Sequence, residues 1–346
     1  MQPASLVDTM ILTSLPTRLT CPPARAWRTL LLASTLALGA CTNSKLVISP
    51  LYNRLDDRMR DEFEKLGEFD ERQTELFEAA LGTGHVWHRQ SELPRYARIL
   101  DDIASSIARP GATRAADVTR WAREIEARSV AARECHPVNF SLPLMKSLSD
   151  EQVDFIERRF ASERKENRER YLERTVEERR EYRQKNIEKW AARIGLDFTA
   201  EQRAMLRTAL TRQVSLREQY WALSDAWKEK LFRLAREQDA PDYDSRMSAH
   251  LGQLWTLLES AHPDEWQRNR ELWRDFAIRF VTSMTPEQRQ AGSAWLAKMA
   301  ETLESISRDE PSFVPGDDPA TGCLVGTAPP GKSLREGGGG EVRPAG

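Results

Sequence analysis

From Leu51 to about Ser307 the apolar residues of this chain return every three or four positions, and no alternating run of useful length interrupts them. That period belongs to the α-helix, so the pattern predicts an all-α protein. Leu51, Leu55, Met59 and Phe63 step by four and open an amphipathic helix over 51–66. Val153, Ile156, Phe160 and Tyr171 form a second stripe within 149–193. Arg164 and Asn167 interrupt that seam, and a break or kink is expected near Thr175, splitting a helical hairpin arm. A helix from Thr199 to about Gln238 carries Leu206, Leu210, Tyr220, Trp227, Leu231 and Leu234 on a seven-residue repeat, with Gln213, Arg217 and Ser224 at other seam positions. Such a seam packs as a bundle or coiled coil. Pro241 and His262-Pro263 punctuate the next stretch of chain, and Asp264 is expected to cap a helix with a heavy apolar face of Trp266, Leu272, Trp273, Phe276 and Phe280. The last helix is expected from Thr285 to about Ser307.

Helix entries are marked by one recurring pattern. Ser149-Asp150-Glu151-Gln152, Thr199-Ala200-Glu201-Gln202, Thr285-Pro286-Glu287-Gln288 and Asp70-Glu71-Arg72-Gln73 each read as a capping box, with Thr175-Val176-Glu177-Glu178 as a further candidate. The side-chain oxygen at the first position accepts the backbone N–H three residues on, and the Gln or Glu there reaches back to the cap. An apolar residue precedes each Gln box (Phe69, Leu148, Phe198, Met284), placed to staple onto the first turn. Between these entries lie charge-laced faces, with Asp154 and Arg158, Glu166 and Arg170, and Glu181 and Lys185 as expected i,i+4 pairs. A solvated face is the ordinary reading of such a stretch, and a partner surface the sharper one.

The ends depart from this periodicity. Arg25 and Arg28 precede the apolar run Leu30 to Leu38, and Leu38-Gly39-Ala40-Cys41 closes it with small residues before a cysteine. This resembles the lipobox of a bacterial lipoprotein precursor, whose run is too short for the about 20 residues that a bilayer span needs. The resemblance implies a signal peptide over 1–40, lipidation of Cys41 and a tether over 41–50. Thr42 in place of Asp favours the outer membrane, periplasmic face. Residues 1–24 exceed what such a leader needs, as a start assigned too early would explain. From Asp309 onward the chain is Pro, Gly and polar residues ending in Gly337 to Gly340, so 309–346 is expected to be a disordered tail, leaving 51–308 as the helical periplasmic domain.

Composition changes the picture in two ways. Removing the leader takes away Arg18, Arg25, Arg28 and Asp8, leaving 48 basic and 52 acidic residues and a net charge of −4, which gives no footing for nucleic acid. A charged fraction of 30% and a mean hydropathy of −0.60 fit an elongated helical bundle with long charged helices. Of the cysteines, Cys21 lies in the leader and Cys41 at the anchor, so Cys135 and Cys323 are left either as a disulfide tying the tail to the body or as two thiols.

Candidate chemistry is concentrated at His85, Trp87, His88, Arg89, Glu92 and Tyr96. On a helix His85, His88 and Glu92 fall at i, i+3 and i+7, so two imidazoles and a carboxylate could ligate a metal, with Cys135 or His136 as a distant addition. The competing reading is internal hydrogen bonding by the polar groups while Trp87 and Tyr96 pack. Pro94 perturbs the local helix, and Gly82 and Gly84 weaken its approach. Phosphate loops, nucleophile elbows and paired-cysteine metal motifs do not occur, so no cofactor is expected.

Leu51-Tyr52-Asn53-Arg54-Leu55-Asp56, Trp87-His88-Arg89, Glu92-Leu93-Pro94 with Tyr96, and the repeated Thr/Ser-x-Glu-Gln entries resemble a family of proteobacterial outer-membrane lipoproteins of uncharacterised function. That resemblance spans most of 41–308 and implies an anchored helical protein without catalytic residues to carry over. Leu148 to Gln152 and Phe198 to Gln202 also resemble, loosely, the Leu-Thr-x-x-Gln motif of small periplasmic stress chaperones. The expectation is a non-enzymatic envelope protein, bound to the membrane through Cys41 and acting on another envelope protein. A chaperone-like binder of unfolded chains and a metal-binding enzyme built on His85, His88 and Glu92 are the alternatives.

Overall fold

The computed structural model describes residues 52–309 and Cys323; the expected signal peptide, the lipidated Cys41 and nearly all of the tail lie outside the described residues. Among the described residues the fold is all-α, without strands. The helices are α1 (Leu55–Glu64), α2 (Glu71–Trp87), α3 (Leu93–Ile107), α4 (Ala115–Glu134), the short α5 (Leu142–Met145), α6 (Asp150–Leu172) and α7 (Val176–Arg193). They continue with α8 (Ala200–Arg212), α9 (Arg217–Ala235), α10 (Tyr243–Gln253), α11 (Leu257–Ala261), α12 (Pro263–Thr282) and α13 (Pro286–Arg308). No helix among the described residues is long and apolar enough to cross a membrane.

All five expected capping boxes form, at Asp70, Ser149, Thr175, Thr199 and Thr285. Four of them do more than start a helix. Gln73 and Gln152 exchange amide hydrogen bonds of 2.8 Å in both directions, joining the N-termini of α2 and α6. Gln202 and Gln288 do the same for α8 and α13, at 2.9 and 2.7 Å. The second N–H of each amide goes to a backbone carbonyl two residues before the partner's cap: Gln73 to Ser147, Gln152 to Glu68, Gln202 to Ser283 and Gln288 to Asp197. Each Gln oxygen also accepts from its own cap's N–H. Every donor and acceptor of these amides is thereby used, which is what lets Gln73, Gln202 and Gln288 be buried. The result is two clasps, each holding together two helix starts far apart in sequence.

The stapling residues lie under the clasps. Leu148, Phe198 and Met284 are buried, and Phe69 stacks on Phe63 at 4.0 Å. Beneath the first clasp, Val153 and Ile156 of α6 pack with Trp227, Leu231 and Leu234 of α9 and Tyr243, Met247 and Leu251 of α10. Beneath the second, Phe198, Leu206 and Leu210 meet Trp273, Phe276 and Phe280 of α12, while Met284 meets Ile107, Val118 and Trp121. α13 lies along α3, and α12 packs on α4 and α8.

Several expectations are corrected. The helix expected from Thr199 to about Gln238 is broken: α8 ends at Arg212 and α9 begins at Arg217. The break is stabilised from outside, because the buried Asn269 of α12 accepts from the Val214 N–H and donates to the Val214 carbonyl, both at 2.9 Å. Leu206, Leu210, Trp227, Leu231 and Leu234 are nonetheless core residues, so the seam was apolar for packing without forming a continuous coiled coil. Asp264 does not cap; His262 holds the cap position, Pro263 is at N1 and Asp264 lies in the first turn. The arm breaks between Leu172 and Val176 as expected, but α6 and α7 do not lie against each other as a hairpin: α6 packs on α9 and α7 on α8. Of the expected charge pairs, Glu181 meets Lys185 at 3.8 Å, whereas Asp154 turns with Glu157 to Arg236 of α9.

Candidate functional site

Between α2 and α3 the chain does not stop. His88–Glu92 is a π-helical segment in which the Leu93 N–H reaches back five residues to the His88 carbonyl, so one continuous rod contains Pro94. A proline in a regular helix donates no hydrogen bond and clashes with the carbonyl four residues before it; the wider π turn relieves the clash. Its extra residue also turns Arg89 and Glu92 inward, to 1% and 0% exposure.

On a regular helix Arg89 and Glu92, three residues apart, would be neighbours on one face. Here each has its own partners. Arg89 donates to the Ile306 carbonyl at 3.1 Å and to Asn53 Oδ1 at 2.8 Å, and its guanidinium lies 5.0 Å from the centre of the Tyr52 ring. Ile306 is in the last turn of α13, so the cation sits at the negative end of that helix dipole. Glu92 accepts on one oxygen from Arg95 at 2.6 Å and from Arg128 of α4 at 3.3 Å; its other oxygen is buried without a hydrogen bond. His88 Nδ1 shares a 2.9 Å hydrogen bond with the Tyr52 hydroxyl, and the Tyr52 ring stacks on that of His88 and lies tilted against that of His85. Burial, then the neighbouring His85 and Arg89, push the His88 pKa down to about 4, and burial raises the Tyr52 phenol above its ordinary range. Burial and then the Glu92 charge push Tyr96 up to about 12.

The cluster is therefore a socket. Tyr52 and Asn53, the first described residues, plug into it, and Arg89 ties that plug to the end of α13. Of the expected residues, His85, His88, Arg89, Glu92 and Tyr96 do gather around this segment, and Trp87 packs beside it against Cys135. Tyr52, Asn53, Arg95, Arg128 and the Ile306 carbonyl are participants that residue spacing alone did not indicate. Tyr52-Asn53 stood out as a motif, but nothing in the sequence connects it to a cluster 36 residues away.

His85, His88 and Glu92 are not brought together as metal ligands, and among the described residues no group of three His, Cys, Asp or Glu side chains is arranged to hold an ion. The extra π residue is the physical reason, since i, i+3 and i+7 share a face only on a regular helix. Cys135 is unavailable as a thiolate because it is disulfide-bonded to Cys323, with a Cα–Cα distance of 5.6 Å. His136 is turned elsewhere: it caps the 3-10 turn Pro137–Phe140 by accepting from the Val138 N–H and lies 4.5 Å from Trp255, where burial pushes its pKa down to about 4. Gly84 makes room for this segment. A Cβ there would fall 2.8 Å from the Pro137 ring and 3.1 Å from the Cys135 carbonyl.

No curated protein and no solved structure matches the chain. One family does, over residues 66–259, a stretch that contains the first clasp, the π segment and its two arginine partners. On that match the chain belongs to the family of unknown function DUF6279.

Proposed function

We propose that this is a non-enzymatic lipoprotein of the outer membrane, facing the periplasm, whose helical body works by contact with another envelope protein. The observation that carries this reading is the use made of the polar cluster. Its charged and hydrogen-bonding groups engage the entering chain, α4 and the end of α13, a pattern suited to holding a body at the end of a tether rather than to turnover. A chain extended over the tether, at about 3.3–3.6 Å per residue, reaches at most roughly 35 Å, so an anchor at Cys41 would keep the socket within that distance of the bilayer. The Cys135–Cys323 bond agrees with an oxidising compartment. Cells fed labelled palmitate should incorporate it into the wild-type chain and not into Cys41→Ala. Photocrosslinkers at the exposed Tyr182 and Trp190 should join one envelope protein only when the anchor is intact. Absence of label, or crosslinks indifferent to the anchor, would overturn the reading.

A chaperone-like binder is the second reading, favoured by one observation. Phe155, Leu172, Val176, Tyr182 and Trp190 of α6 and α7 are all exposed. It requires that the purified chain suppress aggregation of a denatured client and that polar substitution of Leu172 and Trp190 remove the effect; an inert wild-type chain eliminates it.

A further inference from the structure

The two arginines that neutralise Glu92 do not end their role there. Arg95 of α3 and Arg128 of α4 also line an open cleft of about 490 Å³ between these helices, together with Arg98 and Arg120. Two carboxylates share the cleft, Asp102 and Glu124, and both are engaged by Arg120, at 2.8 and 3.3 Å. Asp102 additionally accepts from the Trp121 indole at 2.5 Å. Arg98 is exposed and makes no ion pair among the described residues. Counting Glu92 below, the four guanidiniums face three carboxylates, so the cleft retains one positive charge.

The arrangement is unusual in how it is held. Glu92 is completely buried and offers a single oxygen to both Arg95 and Arg128, fixing two guanidiniums side by side from beneath. Each guanidinium has five N–H donors, so one bond to Glu92 leaves most of the fork pointing elsewhere. Fixed, planar forks with spare donors match the several oxygens of a phosphate better than those of a carboxylate, and their prior ordering lowers the entropic cost of binding. We propose that this cleft binds a phosphate-bearing anion, either a free phosphate compound or the headgroup of an anionic phospholipid. Arg95, Arg98, Arg120 and Arg128 would contact it directly, and Glu92 is a positioning residue acting through Arg95 and Arg128.

The test uses the chain from residue 41 onward carrying Cys41→Ala, which keeps every described residue and removes acyl-driven binding. Inorganic phosphate is titrated by calorimetry, and vesicles of 30% phosphatidylglycerol in phosphatidylcholine are compared with phosphatidylcholine alone by co-sedimentation. Arg95 and Arg128 are left intact, because removing either takes one of two partners from the buried Glu92 and threatens folding. The expected result is binding to at least one probe, weakened about tenfold by Arg98→Ala and abolished by Arg98→Glu, with circular dichroism unchanged. Binding to phosphate identifies a soluble anion; binding to the charged vesicles alone identifies the headgroup. A further variant, Arg268→Ala on α12, should bind as wild type. Binding to neither probe, or binding that Arg98→Glu leaves intact, overturns the proposal.

Discussion

The two glutamine clasps are built from the same bonds but sit in different surroundings. In the second, Gln202 and Gln288 are both buried, at 0% and 3% exposure, as are the stapling residues Phe198 and Met284. In the first, Gln73 is buried but Gln152 is only half-buried, and the clasp forms the wall of an open cleft beside Glu68, Ser147 and Ser149. An identical local motif should therefore contribute very differently to stability. Where water can reach the amides, a lost partner is replaced; where it cannot, each orphaned group retains its full desolvation cost.

The largest difference is expected from the glutamines themselves. Gln202→Ala removes bonds to Ser283, Gln288 and the Thr199 cap, and should destabilise the fold by about 3–5 kcal/mol in a denaturant titration. Gln152→Ala breaks the corresponding bonds beside open solvent and should cost about 1–2 kcal/mol. Equal losses at the two sites would show that surroundings do not decide the matter.

Acid should separate the two ends next. His88 and His136 are held near about 4, and the buried His250, which shares a 2.8 Å hydrogen bond with the Trp227 carbonyl, is lowered by burial. All three have folded values below the ordinary 6.5 and stay neutral in the fold. Their contribution is complete above about pH 6.5 and is lost as pH falls from there, through about 4 for His88 and His136, because the unfolded chain takes up protons first. The total should be on the order of a few kcal/mol. Neither α8 nor α13 contains a histidine. Hydrogen exchange at pH 4.5 should therefore weaken around α2 and α10 while the second clasp keeps its protection.

Glycines near each clasp provide a smaller contrast. Gly195 ends α7 at a φ of +75°, and a Cβ on it would lie 2.7 Å from that of Ala291. Gly195→Ala should cost about 2–3 kcal/mol from left-handed backbone strain and overpacking. Gly67, just before the first clasp, would meet only the Phe69 and Phe155 rings at ordinary contact distances of 3.6 Å or more. The change at Gly67→Ala should lie within about 0.5 kcal/mol, measured by the same titration.

The clasps also show what was readable in advance. Each capping box was legible, because cap, first-turn acid and Gln act within one turn of helix. That Gln73 would find Gln152, or Gln202 find Gln288, was not legible, since 79 and 86 residues separate them and the same side chains suffice for a solitary cap. The socket divides in the same way. His85, His88, Arg89 and Glu92 could be singled out as concentrated chemistry, but their shared face holds only on a regular helix, and the π turn that accommodates Pro94 changed which of them meet. The break at Val214 carried no glycine or proline to announce it; it depends on Asn269, from another helix.

The helical class, the starts of most helices, the apolar faces and the concentration of polar groups near residue 88 could all be read from the order of residues, because interactions within a few positions set them. Packing between distant segments made the other choices: the pairing of the clasps, the interruption between α8 and α9, the closing of Cys135 and Cys323 into a disulfide rather than two thiols, and the plugging of Tyr52 and Asn53 into the π segment. Each of those satisfies a buried polar group or closes a long loop with a partner distant along the chain, and local periodicity contains no information about which partner that is.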